Sequence, residues 1–253
     1  YKKKTYKLKT SLFGQYQIKN LLFAILLAEK CGLSIKKSLK KAKYVKSAKG
    51  RLECIKKLKN NSKIFVDFAH TPDALNTVLK NLKLHFNSNI SIVFGCGGDR
   101  DKGKRYFMGR IASKYCKKIY LTNDNPRNED PRKIRKGIKS GISIDFKEIA
   151  SRKIAIQTAI KELGSNEILL IAGKGHERYQ VRGNKKIFFS DQQEIKNYFK
   201  RNRKKTKNYY WCPNITSQVF KDSYFSYKNV SIDSRSNNHR SIFFAIKGEK
   251  KDG

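Results

Sequence analysis

Residues able to bind a charged small molecule gather at four places in this 253-residue chain, each where an apolar run gives way to Gly, Asp, Asn or Pro. The run at 64–66 continues into Asp67-Phe68-Ala69-His70-Thr71-Pro72-Asp73. An Asp and a His at the head of a helix can approach a nucleotide, or the Asp and Thr can simply cap the helix; the segment alone favours the cap. The run at 90–94 continues into Gly95-Cys96-Gly97-Gly98-Asp99-Arg100-Asp101-Lys102-Gly103-Lys104-Arg105. Gly98 through Lys104 fits the G-x-x-x-x-G-K skeleton of a phosphate-binding loop. Such a loop needs a Ser or Thr hydroxyl next, to hold magnesium, and Arg105 stands there instead, which excludes that reading. What remains is a glycine-rich turn that lets the backbone approach a ligand and presents several cations, or a solvated charged turn.

The run at 118–121 leads into Thr122-Asn123-Asp124-Asn125-Pro126-Arg127-Asn128-Glu129-Asp130-Pro131. An arginine fork holds a carboxylate in bidentate fashion, and Asp124 and Asn125 offer acceptors to an ammonium, so this loop suits an amino acid bearing both charges. The same residue types also make a turn that caps a helix at Pro131. The run at 168–171 ends in Gly173-Lys174-Gly175-His176-Glu177, where two glycines open the backbone and Glu177 can pair with an amine. No Ser-His-Asp or Cys-His arrangement is apparent. Binding and charge placement are therefore the expected chemistry, with no catalytic residue among these segments.

Four motifs at four strand ends need a scaffold that brings strand ends together. The short apolar runs at 64–66, 90–94, 118–121 and 168–171 alternate with amphipathic stretches at 74–84, 108–115, 132–140 and 152–163. That alternation predicts an α/β fold, a Rossmann-like, mostly parallel sheet with helices on both faces. Ligands of such sheets gather at the carboxyl ends of the strands, where the unusual residues lie. Upstream, Ile18, Leu21, Leu22, Ile25, Leu26 and Ala28 recur near a 3.6 period. Gly32 is placed to stop that helix and Ser34 to cap a second one. The run at 201–207 is basic and polar and reads as a linker. Aromatic and β-branched segments follow, too few residues to complete a second core, and so read as the start of a truncated domain.

The formal charge of +38 invites a nucleic-acid reading, but Lys greatly outnumbers Arg, and the lysines are spread over the whole chain. Abundant Lys, Asn and Ile fit an AT-rich coding bias, and no recognition motif for DNA or RNA accompanies the charge. Weak, non-specific attraction to polyanions is expected and specific binding of nucleic acid is not. The five cysteines have no C-x-x-C pair and suit a reducing compartment. No run is long enough to span a bilayer, so a cytoplasmic protein is expected.

Taken in order, Gly50-Arg51-Leu52-Glu53, the Asp67 segment, the Gly95–Arg105 turn, Asp124-Asn125-Pro126-Arg127 and Gly173-Lys174-Gly175-His176-Glu177 resemble the C-terminal domain of the Mur ligases of peptidoglycan synthesis. Within that family they look like the MurE type, which adds meso-diaminopimelate to UDP-N-acetylmuramoyl-L-alanyl-D-glutamate; its Asp-Asn-Pro-Arg motif is intact at 124–127. The resemblance implies that Arg100, Asp124, Asn125, Pro126, Arg127, Gly173 and Glu177 surround the diaminopimelate, and that Arg51, Asp67 and His70 face ATP. In this family ATP phosphorylates the nucleotide-linked peptide's carboxylate, and the amine then attacks the acyl phosphate. The phosphate loop, the Mg2+ ligands and a carbamylated lysine belong to a central domain, so ATP and Mg2+ would be held mainly outside this chain, and the chain supplies one wall of the active site. Its substrates would be the UDP-linked dipeptide and diaminopimelate.

The tail adds a second likeness. Val230-Ser231-Ile232-Asp233-Ser234-Arg235 and Ile242-Phe243-Phe244-Ala245-Ile246-Lys247-Gly248-Glu249 resemble the N-terminal domain of a Mur ligase, the natural candidate being the MurF type. Ser234 and Arg235 would then lie near the UDP part of a second substrate. The implied organisation is closing helices of the central domain at 1–49, the amino-acid-binding domain at 50–200, a linker at 201–209 and a MurF-like start at 210–253. A folylpolyglutamate synthase, another member of the superfamily, is disfavoured by residues 124–127. A basic nucleic-acid-binding protein is the alternative from a different class, and a non-catalytic scaffold keeping the fold is disfavoured by the intact Arg100 and Arg127.

Overall fold

The computed structural model describes residues 6–209, 229–231 and 241–243, with side chains described as far as Arg201. Backbone contacts divide the chain into a unit at 1–201 and a unit at 202–253. In the first unit, α1 (Gln15–Lys30) ends as expected at Gly32, whose φ of 89° and N–H bond to Glu29 accompany a bond from Leu33 N–H to Ala28. This is the paired-bond helix stop that glycine favours. The second helix, α2 (Ile35–Ala42), follows Ser34, and Leu12, Leu21, Ile25 and Ala42 form the small core between the two.

The sheet has six strands in the order β1-β2-β6-β3-β4-β5. They are β1 (Glu53–Lys57), β2 (Lys63–Asp67), β3 (Ile90–Phe94), β4 (Lys118–Leu121), β5 (Phe146–Glu148) and β6 (Ile168–Ala172). All neighbours pair in parallel except β1, an antiparallel edge strand on β2. The helices α3 (Pro72–Phe86), α4 (Lys104–Tyr115) and α5 (Pro131–Lys139) cover one face; α6 (Arg152–Lys161) and α7 (Asp191–Tyr209) cover the other. Alternate residues of each strand feed the two layers: Phe65, Phe94, Leu121 and Leu170 pack under α3 to α5, whereas Ile64, Val93, Tyr120 and Ile171 pack under α6 and α7. Each such buried side chain contributes about 1.5–3 kcal/mol.

The strands β2, β3, β4 and β6 and the helices α3 to α6 coincide with the apolar runs and amphipathic stretches of the sequence. Other elements, α7 among them, do not. The edge strands β1 and β5 and a hairpin of β7 (Tyr179–Arg182) and β8 (Lys185–Phe188) add to the expected elements. The stretch at 201–209, expected as a linker, is helical because α7 continues to Tyr209; it holds no Gly or Pro, and Lys and Arg propagate a helix readily. In the second unit the described residues form one parallel pair, β9 (Asn229–Ser231) with β10 (Ser241–Phe243). No helix among the described residues is long and apolar enough to cross a membrane.

One charge cluster on this frame gives a pH test of stability. Glu162, just after α6, accepts bonds from Lys118, Lys147 and the Tyr120 hydroxyl, and the two ammonium groups hold its carboxyl down at about 2. A depressed carboxylate stabilises the fold above its ordinary range and loses that contribution as pH falls through the folded value. Because the side chain keeps 26% exposure, screening trims the effect. Glu162→Gln should lower Tm by about 2 °C at pH 7, and the gap to the parent should close between about pH 4.5 and pH 2 in a thermal-melt series.

Candidate functional site

The order β2-β6-β3-β4 sets the carboxyl ends of four parallel strands side by side, so the four sequence motifs become one rim. The chain leaving β3 and β4 enters α4 and α5, whereas that leaving β6 runs to α7 on the opposite face. Oppositely directed connections open a crevice at the sheet edge, the usual ligand position in such folds.

The β3 turn and the β4 loop lock together backbone to backbone. A Cβ on Gly98 would stand 2.0 Å from the Pro126 carbonyl oxygen, so only glycine permits this approach. Across the interlock, Arg105 donates in bidentate fashion to Glu129, at 2.6 and 2.7 Å, and Glu129 also accepts from the Asp99 N–H. The arginine that excludes a phosphate-binding loop therefore ties the head of α4 to the loop after β4. Arg105→Lys, which cannot reproduce a two-pronged contact, should cost about 1–2 kcal/mol in denaturant unfolding.

Beyond Gly98 lies a cluster of polar side chains. Arg127, held at φ 52°, donates from Nη1 to the Gly98 carbonyl at 2.8 Å, and no other hydrogen bond engages its guanidinium among the described residues. Asp124 is buried, its side chain 10% exposed, and its carboxylate accepts no hydrogen bond among the described residues; its nearest cation, Arg152 Nη1, stands 3.9 Å from Oδ2. Burial raises the Asp124 carboxyl above its ordinary range, opposed by Arg152 and Lys174. Gly173, at φ 112°, makes room for it: a Cβ there would sit 2.7 Å from Asp124 Oδ2. Glu177 Oε2 accepts from Asn125 Nδ2 at 2.9 Å and Lys174 Nζ at 3.0 Å. Burial pushes Glu177 up, but the bonds from Lys174 and Asn125 and the nearby Arg127 outweigh it and hold the carboxyl below its ordinary value. An arginine fork with only one N–H engaged, a carboxylate without a donor and a second carboxylate kept ionised suit a ligand bearing both charges.

Two of the expected site residues are placed in ways that their residue types did not show. Asn125 was expected to offer an acceptor to a ligand ammonium, yet its Oδ1 already accepts from Lys174 Nζ and the Val181 N–H, both at 3.0 Å. A carbonyl oxygen has two lone pairs, so Asn125 orients Glu177 and has no acceptor left over. Arg100 sits on the β3 turn with its side chain exposed to solvent, apart from the buried polar groups.

On the β2 side, Arg51 and His70 come together around Phe68: the Arg51 guanidinium lies 4.6 Å from the ring centroid, His70 at 4.6 Å and His176 at 5.1 Å. Asp67 lies below this cluster and works within the fold. Its oxygens accept from the Leu52 N–H at 2.6 Å, the Ala69 N–H at 2.8 Å and the Tyr16 hydroxyl at 3.5 Å. Burial raises its carboxyl despite those donors. Ser234 and Arg235 lie outside the described residues.

Reading the sequence missed Lys174, Arg152, Asp191 and the β7–β8 hairpin. Arg152 is fully buried, bidentate to Asp191 at 2.8 Å for both bonds, and donates to the Ala172 carbonyl. A buried arginine at a helix start looks in sequence like any solvated cation. The hairpin did carry a signal, the two-residue Gly183-Asn184 turn between Arg182 and Lys185.

A family profile described as "Mur ligase, glutamate ligase domain" matches residues 50–175, the span that contains β1 to β6 and all four strand ends. The chain belongs to the Mur ligase family. It is 48% identical over 195 residues to the UDP-N-acetylmuramoyl-L-alanyl-D-glutamate--2,6-diaminopimelate ligase of Rickettsia montanensis, covering 76% of this chain and 40% of that protein. The ligase of the same name from Wigglesworthia glossinidia brevipalpis is 46% identical over 185 residues, covering 72% of this chain and 37% of that protein. A solved structure of such a diaminopimelate ligase superposes with a TM-score of 0.63 at 36% identity, covering 78% of this chain and 41% of that one. A folylpolyglutamate synthase from Thermotoga maritima shares the fold alone, with a TM-score of 0.51 at 24% identity over 67% of this chain and 38% of that one. This Mur ligase chain thus spans about two fifths of the length of the diaminopimelate ligases it matches. Among its described residues no group of three or more His, Cys, Asp or Glu side chains is placed to hold a metal ion.

Proposed function

We propose that this chain forms the amino-acid-binding wall of an ATP-dependent ligase that joins meso-diaminopimelate to UDP-N-acetylmuramoyl-L-alanyl-D-glutamate. The observation that carries the reading is the pairing of Arg127, with a guanidinium largely free for a carboxylate, with Asp124 and Glu177, two carboxylates available to an ammonium. The Asp-Asn-Pro-Arg order of 124–127 and the diaminopimelate ligases at 48% identity support that substrate over a plain diamine. Arg127 is assigned the distal carboxylate, Asp124 and Glu177 the distal ammonium, and Asn125 the orientation of Glu177. Gly173 makes room for Asp124, Pro126 carries the carbonyl that meets Gly98, and the exposed Arg100 approaches from the rim.

In this reading the peptide carboxylate attacks the terminal phosphorus of ATP and expels ADP. The amine of diaminopimelate then attacks the acyl phosphate, the C–N bond forms, inorganic phosphate leaves and the amine's proton passes to solvent. The chain's own contribution is to hold the amine in line for that attack and to present Arg51 and His70 toward ATP, with Asp67 setting the Leu52 and Ala69 backbone beneath them. Magnesium neutralises phosphate charge in such reactions, and no residue described here is assigned to it. The free thiols of Cys31, Cys54, Cys96 and Cys116 suit the proposed cytoplasmic location. Residues 1–49 are assigned to the end of the preceding domain and 50–200 to the amino-acid domain. Residues 210–253 are assigned to the start of a MurF-like module, with Ser234 and Arg235 toward a UDP group.

The test is product formation by the full-length protein. With ATP, magnesium, the UDP-linked dipeptide and meso-diaminopimelate, mass spectrometry should find the nucleotide peptide heavier by one diaminopimelate residue, with equal ADP and phosphate. No such product from a folded protein that binds ATP would end the proposal.

A further inference from the structure

Lys174 is the least expected residue of the site. It sits between two glycines of a strand-end turn, yet its side chain is wholly buried, with 0% exposure. Burying a lysine is costly unless its ammonium is fully paired. Here each of its three donor positions is used: Asn125 Oδ1 at 3.0 Å, Glu177 Oε2 at 3.0 Å and the Tyr179 carbonyl at 2.6 Å. These acceptors come from three separate pieces of chain: the loop after β4, the turn after β6, and β7.

The third piece gives the arrangement its reach. The first strand of the hairpin lies along residues 124–127 as an added strand would. Gln180 Nε2 donates to the Asp124 carbonyl, the Val181 N–H to Asn125 Oδ1, the Arg127 N–H to the Val181 carbonyl at 3.1 Å and the Gly183 N–H to the Arg127 carbonyl at 2.7 Å. Arg127 and Arg182 form an isolated β-bridge. Both backbone polar groups of Arg127, at its left-handed φ of 52°, are thus bonded to the hairpin. Lys174 ties the hairpin to both the loop and Glu177.

We infer that Lys174 is a positioning residue whose buried ammonium, bonded to Asn125, Glu177 and the Tyr179 carbonyl, docks the 179–188 hairpin against residues 124–127 and so sets the aim of Arg127 and Glu177 toward the amino acid. The inference rests on the proposed amino-acid site for its consequence in catalysis, and on geometry alone for the docking itself.

Two readouts separate the two. In the full-length protein, Lys174→Met should speed hydrogen exchange at the Val181, Gly183 and Arg127 amides by about tenfold or more, while β3 and β4 keep their protection. Unchanged exchange at those amides would overturn the docking role whatever the enzyme does. Against diaminopimelate, Lys174→Met should raise KM by about tenfold or more and leave KM for ATP within about twofold. In a Glu177→Gln background the same substitution should raise KM by much less, because the two groups act as one unit. An unchanged diaminopimelate KM, or full additivity with Glu177→Gln, would overturn the positioning role. If the parent does not use diaminopimelate at all, the proposed function fails and only the exchange result bears on Lys174. Lys174→Gln, which keeps two donors and most of the volume, is measured beside it. Loss of protection throughout the sheet in both variants would make Lys174 a residue of the fold as a whole and overturn the inference.

Discussion

Arg127→Ala in the full-length protein should lower kcat/KM for meso-diaminopimelate by about 100- to 1000-fold. Arg127 spends one N–H on the Gly98 carbonyl and keeps the rest of its fork. Removing the fork leaves a ligand carboxylate facing Asp124 and Glu177 with no cation between them. L-Lysine has no distal carboxylate and made no use of the fork, so its low rate should stay within a few-fold of the parent's. Arg127→Lys should not restore the parent's rate, since an ammonium cannot hold both oxygens of a carboxylate in one plane. The check is steady-state phosphate release with each amino acid varied separately. Equal losses for both amino acids would mean that Arg127 supports the loop rather than the ligand.

The second large effect is on stability. Arg152 is buried at the head of α6 with Asp191 at the head of α7, both at 0% side-chain exposure. Removing one partner of such a pair leaves a bare buried charge, and Arg152→Met should cost about 3–5 kcal/mol in denaturant unfolding. Asp124 loses its nearest cation at the same time. Replacing both partners, Arg152→Met with Asp191→Leu, should recover the part of the loss that comes from a bare Asp191, but not the part from Asp124, whose nearest cation is missing in both variants. A single substitution that costs less than about 1 kcal/mol would show that water reaches the pair.

The sheet was legible because its central strands are buried on both faces and read as apolar runs, unbroken at 168–171 and broken only by Ser91 at 90–94. The edge strands lacked that signature. β1 reads Glu-Cys-Ile-Lys-Lys, half-buried as far as Lys56 and exposed at Lys57, and a register shift between Cys54 and Lys56 breaks its alternation. β5 is three residues long with one half-buried Phe. Among the site residues, Asp124, Arg127 and Glu177 stood out because acid, amide and guanidinium clustered after a strand. What the sequence could not show is how polar groups spend their bonds. Asn125 and Asp67 are acceptors by residue type, but the acceptors of Asn125 are used up by Lys174 and Val181, and both oxygens of Asp67 are engaged within the fold by Leu52, Ala69 and Tyr16. Lys174 and Arg152 carried the opposite problem: in a chain with a charge of +38, a buried cation is written in the same letters as dozens of solvated ones.

The most direct measurement of the central claim is the amino-acid selectivity of the unmodified full-length protein, read as kcat/KM for ATP-dependent addition of meso-diaminopimelate against L-lysine to the UDP-linked dipeptide. An arginine left facing no carboxylate when lysine binds predicts a preference for diaminopimelate of about 1000-fold or more. Equal use of the two amino acids would contradict the assignment of Arg127, Asp124 and Glu177 to the two charges of diaminopimelate.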